Sequence, residues 1–211
     1  MAEPAGLSAA IGAGDRSSAV RLVSKAIEEG TSAQAILDDM TQAMREVGER
    51  FSRNEIFVPE MLIAARAMKE AMAVLEPLLV DAGIQPEVTA VLGTVKGDLH
   101  DIGKNLVGMM WKGANFRVID LGTNVEPEAF ARAVVEHDAR IVGASALLTT
   151  TMVGMSEVVA AVRATGRPGV AVIVGGAPVT EEFARSIGAD AYAPDAATAV
   201  TVARTAIGVT T

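Results

Sequence analysis

Near residue 86 the hydrophobic period of the chain changes, and that change limits the fold more than any other feature. Before it, apolar residues recur at helical spacing. Asp15 is placed to cap a helix running towards Glu29, with Val20, Leu22, Val23, Ala26 and Ile27 on its apolar side, and Gly30 ends it. Thr31 or Ser32 restarts the chain into a second stripe of Ile36, Leu37, Met40, Met44 and Val47. After the polar break Ser52-Arg53-Asn54, Pro59 suits a first helical turn. Met61, Leu62, Ala65, Met68, Met72 and Leu75 continue a long stripe, which Pro77 is expected to kink or end. Nothing in this half reads as a strand, so a small antiparallel helix bundle is expected.

Beyond residue 86, short apolar β-branched runs predict strands at 88–95, 116–121, 140–148 and 170–174, with a weak fifth at 191–193. Helical segments at 101–113, 126–137, 151–165, 180–187 and 195–207 follow them in turn. Nearly continuous apolar strands are buried on both faces, which implies a parallel sheet. Strand and helix in alternation make a doubly wound α/β domain with right-handed crossovers. The fold class read from the chain is thus an N-terminal antiparallel helix bundle over residues 1–83. A flavodoxin-like, Rossmann-like five-stranded parallel sheet follows over 84–211, with 79–87 as the linker.

Composition narrows the function. Half of the 211 residues are hydrophobic and only 3% are aromatic, so the core is built from Ala, Val, Ile, Leu and Met. With 18 Lys and Arg against 26 Asp and Glu, the net charge is −8, which argues against a nucleic-acid-binding surface. The absence of cysteine removes disulfides, thiolate metal sites and cysteine nucleophiles. Mean hydropathy is high, +0.35, yet the best apolar run, 169–177, is far shorter than the ~18 residues of a membrane span. MAEPAGLSAA has no basic segment like that of a signal peptide, so a soluble cytoplasmic protein without membrane partners is expected.

Ligands of open α/β sheets bind beyond the carboxyl ends of the strands. Small and polar residues gather there: Lys96–Lys104 after the first strand, Ser145–Thr151 after the third and Gly175–Pro178 after the fourth. His100 stands out, one of only two histidines and flanked by Asp98 and Asp101. A carboxylate beside an imidazole fixes its tautomer and raises its basicity as a base or metal ligand. Spacing alone also admits a merely exposed or helix-capping histidine. His137, between Glu136 and Asp138 at a helix end, suits a solvated terminal turn. Asn105 follows Gly103-Lys104 where a phosphate loop needs Ser or Thr, and no G-x-S-x-G nucleophile elbow occurs. Zinc wants three or four protein ligands, which a chain with two distant histidines and no cysteine is poorly placed to supply. One imidazole bound to a metal carried by a large cofactor fits best.

Asp98-x-His100-x-x-Gly103, then Ser145-x-Leu147, then Gly175-Gly176 resembles the D-x-H-x-x-G…S-x-L…G-G pattern of cobalamin-binding domains. GTVKGDLHDIGKNLV, residues 93–107, is similar to the same segment of methionine synthase and of the corrinoid proteins of methanol, methylamine and O-demethylase systems. FSRNEIFVPEMLIAARAMK, residues 51–69, is similar to the helical cap that lies over the methyl face of the corrin in those proteins. The likeness spans almost the whole chain.

The resemblance implies a bound cobalamin, alternating between methylcobalamin and cob(I)alamin. It makes His100 the lower axial cobalt ligand, replacing the cofactor's own base, with Asp98 bonded to its far nitrogen. Thr151 stands where methionine synthase has a serine extending that relay. Gly103, Ser145, Leu147, Gly175 and Gly176 would line the slot for the nucleotide tail, with Tyr192 and Ala193 touching it, and Asp101, Ile102, Thr149 and Ala177 would also contact the cofactor. Glycine at 175 and 176 is expected to let the ligand approach the backbone. Phe51, Val58 and Met61 would shield the methyl group; methionine synthase has leucine at the position of Val58, and ordinary bundle core is the alternative for all three. The implied role is a methyl carrier. A substrate:corrinoid methyltransferase would load it, a second would pass the methyl to tetrahydrofolate or a thiol, and a reductive activase would assist. A cobalamin-binding sensor acting through protein contacts is the alternative. A mutase subunit lacks its catalytic barrel here, and a flavodoxin-like domain for another ligand leaves the Asp-x-His spacing unexplained.

Overall fold

The computed structural model describes residues 6–209, which divide into two compact units. The first runs to Pro86 and includes Gly113–Asn115; the second holds Glu87–Lys112 and the remainder from Phe116.

The first unit contains α1 (Leu7–Gly12), α2 (Arg16–Glu28), α3 (Ala33–Ser52) and α4 (Val58–Asp81). The side chain of Asp15 accepts from Ser18 N and that of Ser32 from Ala35 N, the caps expected for α2 and α3. The short helix α1 was not anticipated, being too brief to show a period. Pro77 does not end α4, which runs one more turn to Asp81. The stop comes at Gly83, which at φ +69° sends its N–H back to Val80 O while Ile84 N reaches Leu79 O. Residues 79–81 of the expected linker are therefore helical. The apolar stripes are buried at Ile36, Met40, Met44, Met61, Met68 and Leu75.

The second unit is a five-stranded, all-parallel sheet in the order β2-β1-β3-β4-β5, the flavodoxin-like order. In chain order it comprises β1 (Val88–Thr94), α5 (Ile102–Gly113), β2 (Phe116–Asp120), α6 (Pro127–Glu136), β3 (Ile141–Ser145), α7 (Thr149–Met152), α8 (Met155–Ala164), β4 (Ala171–Gly175), α9 (Glu181–Ser186), β5 (Ala191–Ala193) and α10 (Thr198–Ala206). One core cluster joins Val91, Val142, Val172 and Val174 of the sheet to Phe130, Val134, Met155, Val158 and Val162 of the helices.

Two departures from the expected elements bear on the site. β3 stops at Ser145 instead of 148, because Leu147 N turns out of the ladder to a carboxylate of the β1–α5 loop. The single helix expected at 151–165 is two, α7 and α8, parted at Val153-Gly154. Among the described residues no helix is long and apolar enough to cross a membrane.

Candidate functional site

The register sets the site. Thr94 pairs with Ser145, Ser145 with Gly175 and Gly175 with Ala193, so four strands end at one level. The order reverses between β1 and β3, and loops from both meet there. Asp98 is the meeting point. Its side chain is fully buried, and each of its oxygens accepts two hydrogen bonds. Oδ1 takes His100 N at 3.0 Å and His100 Nδ1 at 2.9 Å; Oδ2 takes Leu147 N and Thr151 Oγ1, both at 2.7 Å. Burial alone would push the pKa of this carboxyl up. The bonds from Leu147, Thr151 and His100 outweigh burial and hold it far below the usual carboxylate range.

An ionised carboxylate can only accept, so Nδ1 of His100 carries a proton, and in the neutral imidazole Nε2 is the nitrogen with the lone pair. The imidazole is half exposed while its anchor is buried. Thr94, itself buried, donates from Oγ1 to His100 O at 2.9 Å and fixes the residue from the strand side.

The surroundings are apolar and open. Of the nine large hydrophobic side chains exposed among the described residues, five lie in these two loops or in the first helical turns after them: Leu99, Ile102, Leu147, Leu148 and Val153. Such a concentration asks for a partner surface. Among the described residues no group of three or more His, Cys, Asp or Glu could hold a metal ion. A metal taken by His100 must therefore bring its other ligands with it. One aimed imidazole nitrogen amid exposed aliphatic groups fits a metal in a flat macrocycle.

The other expected residues sort by position. Asp101 precedes α5, and Ile102 and Gly103 open it; all three are exposed. Thr149 begins α7 and is exposed. Ser145 and Gly175 end their strands half-buried, Gly176 follows, and Ala177 is exposed. Tyr192 is half-buried and Ala193 buried in β5. Phe51 and Val58 are half-buried in the first unit, and Met61 is buried there. His137 is the C-terminal cap residue of α6.

The two glycines also have a reason within the protein itself. A Cβ on Gly176, whose φ is +129°, would lie 1.9 Å from Ala146 O, and one on Gly175 would lie 2.7 Å from Ala193 O. Close approach of the protein's own β3 and β5 backbone requires glycine at both positions.

The end of β2 and the loop after it carry two residues that the sequence reading passed over. Asn124 bonds the His100 loop twice, and Asp120, which ends β2, is gripped by Lys104 of α5, 3% exposed. Asn124 had a signal, an Asn shortly after a glycine at a strand end; the pair of Asp120 with Lys104 had none apart from the place of Lys104 in the motif.

This geometry holds one half-exposed histidine on a buried carboxylate, beside exposed aliphatic side chains. The B12 binding domain family matches residues 88–201, and a second B12 binding domain family matches residues 5–76. A corrinoid protein of Desulfitobacterium hafniense is 38% identical over 92% of this chain and 93% of its own length. Trimethylamine corrinoid protein 2 of Methanosarcina mazei is 37% identical over 92% of this chain and 91% of its own. Among solved structures, a cobalamin-binding protein from D. hafniense superposes with a TM-score of 0.81 at 33% identity, covering 95% of this chain and 96% of that one. The methanol:cobalamin methyltransferase complex of Methanosarcina barkeri gives 0.82 at 29% identity, covering 97% and 79%. The chain belongs to the B12-binding corrinoid proteins.

Proposed function

We propose that this protein carries a methyl group on the cobalt of a bound cobalamin between two methyltransferases, with His100 as the lower axial ligand in place of the cofactor's own base. The observation that carries the reading is the Asp98–His100 pair, a half-exposed imidazole whose Nδ1–H is tied to a buried anion. Bound cobalamin would supply the cobalt that accepts and releases the methyl group; the protein supplies ligation, orientation and access. Asp98 fixes the tautomer, and Leu147 and Thr151 hold Asp98 still, so Nε2 is set in place before the cofactor arrives. Leu99, Ile102, Leu147, Leu148 and Val153 offer the ring an apolar floor. The row Ser145, Gly175 and Ala193, with Gly103, Thr149, Ala177 and Tyr192 around it, takes the nucleotide tail.

The first unit, residues 1–83 in this reading, acts as the cap, with Phe51, Val58 and Met61 shielding the methyl group. The linker near 79–87, helical as far as Asp81, is the hinge on which it gives way to a partner. Support for methyltransferase partners comes from the relatives, named for trimethylamine and dimethylamine systems, and from the methanol:cobalamin methyltransferase complex. One partner loads the cobalt from a methylated substrate, a second transfers the methyl to an acceptor such as tetrahydrofolate or a thiol, and a reductive activase restores the cofactor after accidental oxidation.

The test is reconstitution with hydroxocobalamin followed by gel filtration. Stoichiometric retention is expected, with a visible spectrum that changes in His100→Ala. A protein that keeps no cobalamin, or a variant with an unaltered spectrum, contradicts the reading.

A further inference from the structure

The backbone of the His100 loop is held from β2 by a turn with no place in the cobalamin motif. Residues 120–125 run beside the end of β1. Thr94 N donates to Gly122 O at 3.0 Å, Val125 N donates to Thr94 O at 3.0 Å, and Val95 and Val125 form a parallel bridge. The turn is anchored at its start. Lys104 Nζ bonds both oxygens of Asp120, at 2.7 and 2.6 Å, and also Asn105 Oδ1 at 2.8 Å. Asp120 Oδ1 in turn accepts Gly122 N at 2.9 Å.

From this fixed turn Asn124 reaches the loop at two points. Its Oδ1 accepts Gly97 N at 2.8 Å, and its own N–H donates to Asp98 O at 2.9 Å. The peptide groups on either side of Gly97-Asp98 are thereby tied to one residue. Asn124 sits at φ +54°, a left-handed conformation that Asn tolerates better than most residues. Its side-chain amide has one orientation open to it, because Gly97 N is a donor and must meet the carbonyl oxygen.

We propose that Asn124 is a positioning residue for the axial ligand: it sets the backbone of Asp98, and through the Asp98 carboxylate the direction of the His100 imidazole. The proposal rests on His100 ligating cobalt. Residues after β1 and β3 supply the groups that touch the imidazole or its anchor, whereas β2 supplies the residue that fixes the backbone carrying them. Two changes separate its features. Asn124→Asp keeps an acceptor for Gly97 N and tolerance of the left-handed backbone. Asn124→Gly keeps the backbone conformation and loses the acceptor.

The full-length protein is loaded with cobalamin, reduced to the cob(II)alamin state and examined by electron paramagnetic resonance, where one axial nitrogen splits the cobalt lines. Loading and melting temperature are measured in parallel. With wild-type ligation as reference, Asn124→Asp is expected to match it. Asn124→Gly should lower the ratio of His-ligated to unligated cobalt about fivefold at equal loading, the weight of one hydrogen bond. A nitrogen splitting in Asn124→Gly equal to wild type overturns the proposal, even if the melting temperature falls, since a purely structural role moves stability alone. Failure of Asn124→Asp to match wild type while Asn124→Gly does so overturns it as well. Absence of the splitting in wild type contradicts the ligation reading itself and removes the proposal with it.

Discussion

The two ends of the sheet handle a carboxylate in opposite ways. At the amino end, Asp190 Oδ2 accepts Val172 N and Arg163 Nη2, both at 2.6 Å, and Arg163 Nη1 also bonds Val170 O. Arg140 reaches Ile207 O, and Arg167 pairs with Asp138. The guanidinium groups there neutralise charge, bridge loops and leave nothing aimed outward. At the carboxyl end, Asp98 is more deeply buried, and its four bonds come from two backbone N–H groups, a hydroxyl and an imidazole. The imidazole is half exposed and its neighbours are bare aliphatic groups. An arginine in place of His100 would close this end in the manner of the other. The contrast shows where the fold spends its buried charge on stability and where it uses it to aim a ligand.

Replacement of residues at each end can break that comparison, and the largest effect should come at Asp98. Asp98→Ala leaves Leu147 N, Thr151 Oγ1 and His100 N without their acceptor, and a loss of about 3 kcal/mol is expected by denaturant unfolding. The same variant should lose control of the imidazole. Because the folded protein holds the Asp98 carboxyl below its unfolded value, the contribution is complete above that value and fades as pH falls through the folded one. The gap between wild type and Asp98→Ala should therefore be full at neutral pH and narrow below about pH 4. A gap that widens in acid would refute the assignment.

Asp190→Ala comes next. It removes a partly exposed ion pair and the cap on Val172 N, for about 1.5 kcal/mol, and should leave the spectrum of bound cobalamin untouched. A spectral change there would erase the distinction between the ends. Thr151→Ala removes one bond to Asp98 and should cost about 1 kcal/mol with a small change in the cofactor spectrum, while Thr151→Ser restores both. His100→Ala should cost least in stability, within about 0.5 kcal/mol, since a half-exposed side chain contributes little to folding. It should nevertheless abolish the axial nitrogen. The residue proposed to meet the metal is thus the one expected to matter least for stability.

Much of this was legible in the sequence because the signals are local. Caps at Asp15 and Ser32, the change of period near residue 86 and the five strands all follow from neighbouring residues. The pairing of Asp98 with His100 was visible as a two-residue spacing, and Thr151 as a motif position. What escaped depends on contacts between distant segments. Leu147 N leaves its strand for Asp98, 49 positions away, which shortens β3 and splits the helix after it. Asn124 meets Gly97 across 27 positions, a partner that its place shortly after a strand-end glycine does not reveal. The glycines at 175 and 176 were seen, but not the crowding by the carbonyls of Ala193 in β5 and of Ala146 just past β3. Pro77 misled because a helix end is set by the residues that close it, here the turn at Gly83, and one proline is tolerated when they come a turn later.

The most direct test of the central claim uses protein grown on histidine labelled with 15N in both ring nitrogens, loaded with cobalamin and reduced to the cob(II)alamin state. Electron paramagnetic resonance then reads the axial nucleus. A 14N ligand splits each cobalt line into a triplet, a 15N ligand into a doublet. A doublet that appears on labelling and vanishes in His100→Ala is the result expected, and it assigns the nitrogen to this chain. A triplet that survives labelling would mean that the cofactor's own base holds the cobalt, and that Asp98 and His100 were built for something else.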